Sequence, residues 1–206
     1  MPIHAVFAIA LCNLASLRAS KVGVALFGLE LGANPFQIGI LVALYSVFPM
    51  LLALHLGRFA DRFGMRLPIL CGSLGMAGGL AMPWLWPTVP GLYASAVVIG
   101  ASHIFYHVSL QNLVGQLSRP EERTRNFATY SLVHSVAAFV GPLVAGFGID
   151  AFGYGRAYVM LTVLPLVAVF ILARGGALPS PSGKGGDDGG ARSATDALDE
   201  LGQLRA

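Results

Sequence analysis

The chain has 206 residues, 55% of them hydrophobic and only 11% charged, with a formal net charge of +3. Soluble domains carry about a quarter charged residues, so this balance excludes a water-soluble globule and points to a protein embedded in a bilayer. The charge implies no nucleic-acid partner, because the basic residues are spread through the loops along one membrane face.

Crossing a hydrocarbon core takes about 20 apolar residues in a helix. Such stretches occur at roughly 3–29, 36–56, 67–86, 91–115, 127–149 and 157–173. They are continuous runs rich in Leu, Ala, Val and Gly, without the alternation of outer-membrane barrel strands, which predicts an all-α polytopic membrane protein with six transmembrane helices. The opening "MPIHAVFAIALCNLA" has no basic leader and reads as the start of the first span, not as a cleaved signal. Cys12 and Cys71 fall inside spans, where small apolar packing residues are expected.

In the first span, Arg18 lies near mid-depth and Lys21 follows at i+3, while Asn13, Ser16 and Ser20 make much of this helix polar. A charge at the bilayer centre costs at least about 2.5 kcal/mol, so both cations need a reason to be there. Between the second and third spans, "GRFADRFGMR" (57–66) concentrates charge and is expected to be a tight turn. The fourth span carries His103 and His107 at i and i+4, and Gln111 extends that row by another turn. The fifth adds His134 and the stretch "HSVAAFVGPLVAGFGID". Each feature also has a purely structural reading. The cations can snorkel or bond to backbone carbonyls, a lone histidine can bridge two helices, and small residues such as Gly141, Ala145 and Gly148 let helices approach.

Orientation follows from the loop arginines. With the N-terminus inside, the inner loops hold Arg58, Arg62, Arg66, Arg119, Arg123, Arg125 and Arg174, against Arg156 alone outside. Both ends are therefore expected in the cytoplasm. The loop "LSRPEERTRN" between the fourth and fifth spans mixes signs and reads largely as solvated surface.

The order of residues in 57–66 carries more than charge. Gly57, Asp61, Arg62, Gly64 and Arg66 resemble the signature of the major facilitator superfamily between helices 2 and 3, with Met65 replacing the first of its two closing basic residues. Gly141-Pro142 followed by Ala145-Gly146 resembles the helix-5 motif of that superfamily's antiporters, with Ala-Gly in place of the usual Gly-Gly. This resemblance implies that 1–174 form one six-helix half, the N-terminal one, built as two inverted three-helix repeats. It implies that 175–206, rich in Gly, Ser, Pro and Asp, correspond to the central linker, with "ATDALDELGQLRA" as a short amphipathic connector. A second six-helix half would begin beyond it.

The resemblance further implies a secondary active transporter of a small molecule in the plasma membrane, an inner membrane if bacterial, driven by an ion gradient as proton-coupled efflux or antiport. Helices 1 and 4 of the family border the central cavity, which makes Arg18, Lys21, His103, His107, Gln111 and His134 the candidate substrate and proton pathway. Histidine suits proton carriage, since its unperturbed pKa of about 6.5 lies near neutrality. One departure is that the fourth span has no arginine or lysine, where many efflux members carry an arginine. No Walker motif, glycine-rich phosphate loop or nucleophile elbow occurs, so neither an enzyme nor a cofactor is expected. The His103–His107 pair alone falls short of the three or four ligands a metal needs. The alternative is a truncated or non-transporting membrane subunit. The partners expected are the lipid bilayer, a small-molecule substrate, and either a second copy or a complementary six-helix half.

Reporter fusions are expected to place the loops at 57–66 and 116–126, and the tail after Arg174, in the cytoplasm. An outward-facing tail would overturn the six-span topology.

Overall fold

In hydrocarbon no water is available to bond a free peptide group, so each apolar stretch closes its hydrogen bonds within itself as a helix. The computed structural model describes residues 2–63 and 65–174, with all their side chains except those at 48 and 52–63. Six long helices follow in order: α1 (Ile3–Glu30), α2 (Pro35–Phe63), α3 (Arg66–Leu85), α4 (Val89–Leu117), α5 (Arg123–Phe152) and α6 (Tyr154–Arg174). Among the described residues, five helices are long and apolar enough to cross a membrane, and α2 contributes the apolar segment Pro35–Leu51. The predicted spans are thus recovered, most of them with ends extended by up to a turn. The expected linker at 175–206 lies outside the described residues.

Local chemistry sets several boundaries. Asn34 and Gln37 cap α2 reciprocally, each side-chain oxygen accepting from the other's backbone N–H at 2.9 Å, with Pro35 as the first helical residue. Thr88 caps α4 by accepting from the Gly91 N–H at 3.3 Å. At the end of α5, Gly153 takes φ of +78°, a conformation that lets the chain reverse at once into α6.

One expectation needs correction. The stretch 57–66 is not a ten-residue turn, because α2 continues through Phe63 and α3 begins at Arg66. Arg, Phe, Ala and Asp between the two glycines are all compatible with a helix, and long basic side chains at a helix end can reach water without unwinding it. The side chains of Gly57, Asp61 and Arg62, and Gly64 as a whole, lie outside the described residues. Arg66 is exposed at the first position of α3. Likewise, the mixed-charge loop is shorter than expected: Pro120–Glu122 form one 3₁₀ turn, and Arg123 and Arg125 already belong to α5. The exposed Arg125–Glu122 ion pair spans 2.9 Å there.

Packing follows the inverted-repeat pattern. The contact of α1 with α5 is matched by that of α4 with α2, and the contact of α1 with α6 by that of α4 with α3, as expected if α1–α3 and α4–α6 are equivalent units. Consequently α1 and α4 occupy the middle, while α2 and α5 flank them. Small residues permit the tightest contacts. A Cβ on Gly72 would lie 2.8 Å from the Ser102 carbonyl oxygen, and one on Gly79 would lie 2.6 Å from Ile99. Polar bridges then fix register: Asn13 Nδ2 donates to Ser73 Oγ at 3.1 Å, Ser95 Oγ to the Gly79 carbonyl at 2.7 Å, and Tyr158 Oη to the Ser20 carbonyl at 3.3 Å. Large apolar side chains point outward instead, including Val163, Leu166 and Phe170 on α6 and Phe139 and Phe147 on α5. A water-soluble surface would not carry so many.

The glycines of α5 differ sharply in their surroundings. A Cβ at Gly141 would meet Arg18 Cβ at 2.6 Å and the Ala15 carbonyl at 2.8 Å, whereas one at Gly146 would meet nothing within 4 Å. Gly141→Ala is therefore expected to destabilise the protein by about 1–3 kcal/mol, and Gly146→Ala by less than about 0.5 kcal/mol. Thermal unfolding in detergent checks the pair.

Candidate functional site

The polar residues singled out within the spans converge. Arg18 and Lys21 of α1, His103 of α4 and His134 of α5 line one recess of about 260 Å³, together with Tyr45, Ser46 and Pro49 of α2. His134 also borders a second recess of about 410 Å³, which holds His107, Gln111, Tyr130, Ser131 and Ser135. Gln111 and Phe127 then lead into a third, of about 420 Å³, with Asn112, Gln116 and Arg123. The row His103, His107, Gln111 runs along all three, as helical spacing anticipated. Sharing these lining residues, the three recesses follow one another as a polar lane along α4 and α5, which touch each other little, and the first is also walled by α1 and α2.

Arg18 is placed by backbone packing. Gly141 allows α5 to rest on α1 at Ala15–Ala19, and His134 lies seven residues earlier on the same face of α5, two helical turns away. Arg18 Nη2 reaches Nδ1 of that histidine at 3.4 Å, while Arg18 Nε is buried without a hydrogen-bond partner. Because arginine only donates, a hydrogen bond here requires His134 Nδ1 to accept, that is, a neutral ring with its proton on Nε2. Lys21 Nζ stands 5.6 Å from the centre of the Tyr45 ring, within the range of a cation–π contact.

The histidines form a row linked by tyrosines. His103 and His107 stack with centroids 4.9 Å apart, and His107 and His134 lie 6.4 Å apart. Tyr106 Oη is 2.9 Å from His103 Nδ1, and Tyr130 Oη is 3.1 Å from His107 Nδ1. These tyrosines were not anticipated from the sequence, although for one of them the signal was present. For Tyr106 it is the position three residues after His103, a spacing that places a polar-tipped ring beside a histidine on a helix, whereas Tyr130 bonds to His107 on another helix, which spacing does not reveal. Among the described residues no three His, Cys, Asp or Glu side chains are grouped to hold a metal ion.

Of the helix-5 motif, Gly141 stands behind Arg18 and Pro142 follows it within the helix, whereas Gly146 contacts neither α1 nor α4. Arg66 lines none of the three recesses.

Comparison with known proteins gives this arrangement a context. The family model of the Major Facilitator Superfamily matches residues 6–205. A tetracycline resistance protein, class C, of Escherichia coli is 32% identical over 108 residues, covering 52% of this chain and 27% of its own length. The multidrug resistance protein MdtH of Yersinia pestis is 27% identical over 152 residues, covering 71% of this chain and 35% of its own. Among solved structures, the peptide transporter POT in complex with alafosfalin superposes with a TM-score of 0.77 at 15% identity, over 98% of this chain and 45% of that one. The POT family transporter PepTSo gives 0.72 at 21% identity, over 89% and 39%. At such identities the structural likeness shows the fold alone. The chain thus spans less than half the length of these solved transporters, and its alignments reach 27% and 35% of the curated relatives. It belongs to the major facilitator superfamily and is a multi-pass membrane protein.

Tyr130→Phe removes the partner of His107 Nδ1 without opening a cavity. Interhelical side-chain hydrogen bonds in membranes average about 0.6 kcal/mol, so the variant is expected to stay within about 1 kcal/mol of the parent. Thermal unfolding measures this, and a far larger loss would mark the tyrosine as a structural pillar.

Proposed function

We propose that this member of the major facilitator superfamily is one six-helix half of a secondary active transporter, which exports a small molecule in exchange for protons, with both termini in the cytoplasm. The observation that carries the reading is the lane lined by Arg18, Lys21, His103, His107, Gln111 and His134. Polar side chains at membrane depth are expensive, and here they border three neighbouring recesses that share lining residues, instead of all being consumed in helix–helix bonds. The efflux direction draws support from the names of the tetracycline and multidrug resistance relatives. In this reading Arg18 and Lys21 anchor the substrate and the histidine row carries protons.

A second feature shapes the proposal. The outer faces of α2 and α5 carry large exposed apolar side chains, among them Met50 and Leu51 on α2 and Phe139 and Phe147 on α5. A complementary six-helix half, or a second copy of the chain related by an axis along the membrane normal, would wall off the lane. Transport is then a property of the assembly.

The test is drug export from a bacterial strain lacking its own exporters, with the complementary half supplied and the proton gradient collapsed as a control. Arg18→Ala, and the double change His103→Ala with His107→Ala, are expected to abolish export while the proteins remain in the membrane at parental levels. If they vanish from the membrane instead, these residues are structural glue and the reading fails.

A further inference from the structure

Arg18 and Lys21 face the same recess, and among the described residues no carboxylate lines it or the recess beside it. A guanidinium remains charged under all physiological conditions, and a fixed positive charge at this depth without a counter-charge is unfavourable. Within the described residues its polar contact is a long one, 3.4 Å from Nη2 to His134 Nδ1, and its Nε is buried and unpaired. The planar fork of arginine matches an oxyanion in two-point geometry. The recess is therefore a cationic seat with no balancing carboxylate among the described residues that line it.

The partner of Arg18 adds a condition. The contact exists only while His134 is neutral, because Nδ1 must accept from the guanidinium. Protonation turns both ring nitrogens into donors, sets two cations 3.4 Å apart, and so expels the guanidinium from the histidine. The groups facing His134 are Arg18 and Lys21 from α1, His103 and His107 from α4, Tyr45 from α2 and Tyr130 on its own helix, and α6 contributes no residue to either recess. All of these are basic or neutral. An incoming anion would favour the protonated ring.

We propose that Arg18 and Lys21 bind a small oxyanion, such as a carboxylate, in this recess, and that its binding is linked to uptake of a proton by His134, which releases Arg18 from the histidine to grip the anion. This rests on reading the recess as the substrate site. The proton comes from water and the Arg18–His134 hydrogen bond is exchanged for an Arg18–oxyanion pair. Anion and proton are bound together on this site, each raising the affinity for the other by the same factor, so the proton on His134 leaves with the anion and the protons exchanged for it return through His103 and His107.

The test uses the full chain in nanodiscs of uncharged lipid, titrated calorimetrically with benzoate and with its uncharged analogue benzamide, between about pH 8 and about pH 6, across the histidine range. Repeating each titration in two buffers of different ionisation enthalpy counts the protons taken up. Benzoate is expected to bind and benzamide not, with proton uptake on binding and an affinity that rises by up to about tenfold per pH unit lowered, as the competent fraction grows. Arg18→Gln should abolish binding. His134→Ala should bind benzoate at the high end of the pH range as tightly as the parent does at the low end, with no proton uptake. The inference is overturned if the parent binds no benzoate at any pH, binds benzamide equally, binds without pH dependence, or if proton uptake persists in His134→Ala. Drug export by a protein that binds no benzoate would overturn this inference and leave the transporter reading standing. Benzoate binding with proton uptake, in a protein that exports nothing in any assembly, would do the reverse.

Discussion

At Gly141 the backbone of α5 lies so close to α1 that any side chain there would occupy the space of Arg18 Cβ, 2.6 Å from an added Cβ. In lipid no hydrophobic force presses helices together, and contacts of this kind, where dispersion acts over closely apposed backbones, are what hold them. The contact also sets the axial position of α1 against α5. Because His134 is two turns from Gly141 on the same face, that position decides which group the Arg18 guanidinium can reach. A bulkier residue would part the helices and the arginine from the histidine together. The glycine thus acts at once as packing surface and as a positioning element for the site.

The interior treats polar side chains in two ways. Asn13, Ser95 and Tyr158 bond across helix pairs and are consumed there, which fixes register at the cost of little more than the bond itself returns. Arg18, Lys21 and the histidine row instead border neighbouring recesses along α4. The difference lies in neighbours. Where α3 meets α4 through Gly72 and Gly79 the backbones touch and leave no room, whereas α4 and α5 diverge and leave a lane. Divergence on one side and contact on the other follow from the repeat: α4 is matched to α1, and each packs closely on two helices of the opposite repeat.

Electrostatics inside that lane is one-sided. Arg18, Lys21 and Arg123 supply positive charge, the histidines can add to it, and no carboxylate among the lining residues answers them. Under the proposed reading, a site of this sign would select ligands by charge before shape, since in a medium of low dielectric the Coulomb term outweighs the fine detail of packing. The neighbouring tyrosines hold the histidine rings in fixed orientations through Nδ1, so the remaining ring nitrogens are presented in a defined direction.

The amino-acid sequence alone determined the class, the number of helices, most of their ends to within about a turn, and the alignment of His103, His107 and Gln111 on one face. These depend on local rules: helix length against bilayer thickness, the 3.6-residue period, and the obligation of backbone groups to bond within their own segment. The continuation of α2 through Phe63 was not legible, because a basic helix end and a basic turn share the same residues. Nor was the choice of Gly141 over Gly146 as the contact glycine, the bond of Tyr130 to His107, or the pairing of Arg18 with a histidine 116 residues away. Each of these depends on which helix faces meet, and that is decided by the summed fit of whole surfaces. Identical local spacings can face lipid or face the site, and only the tertiary structure says which.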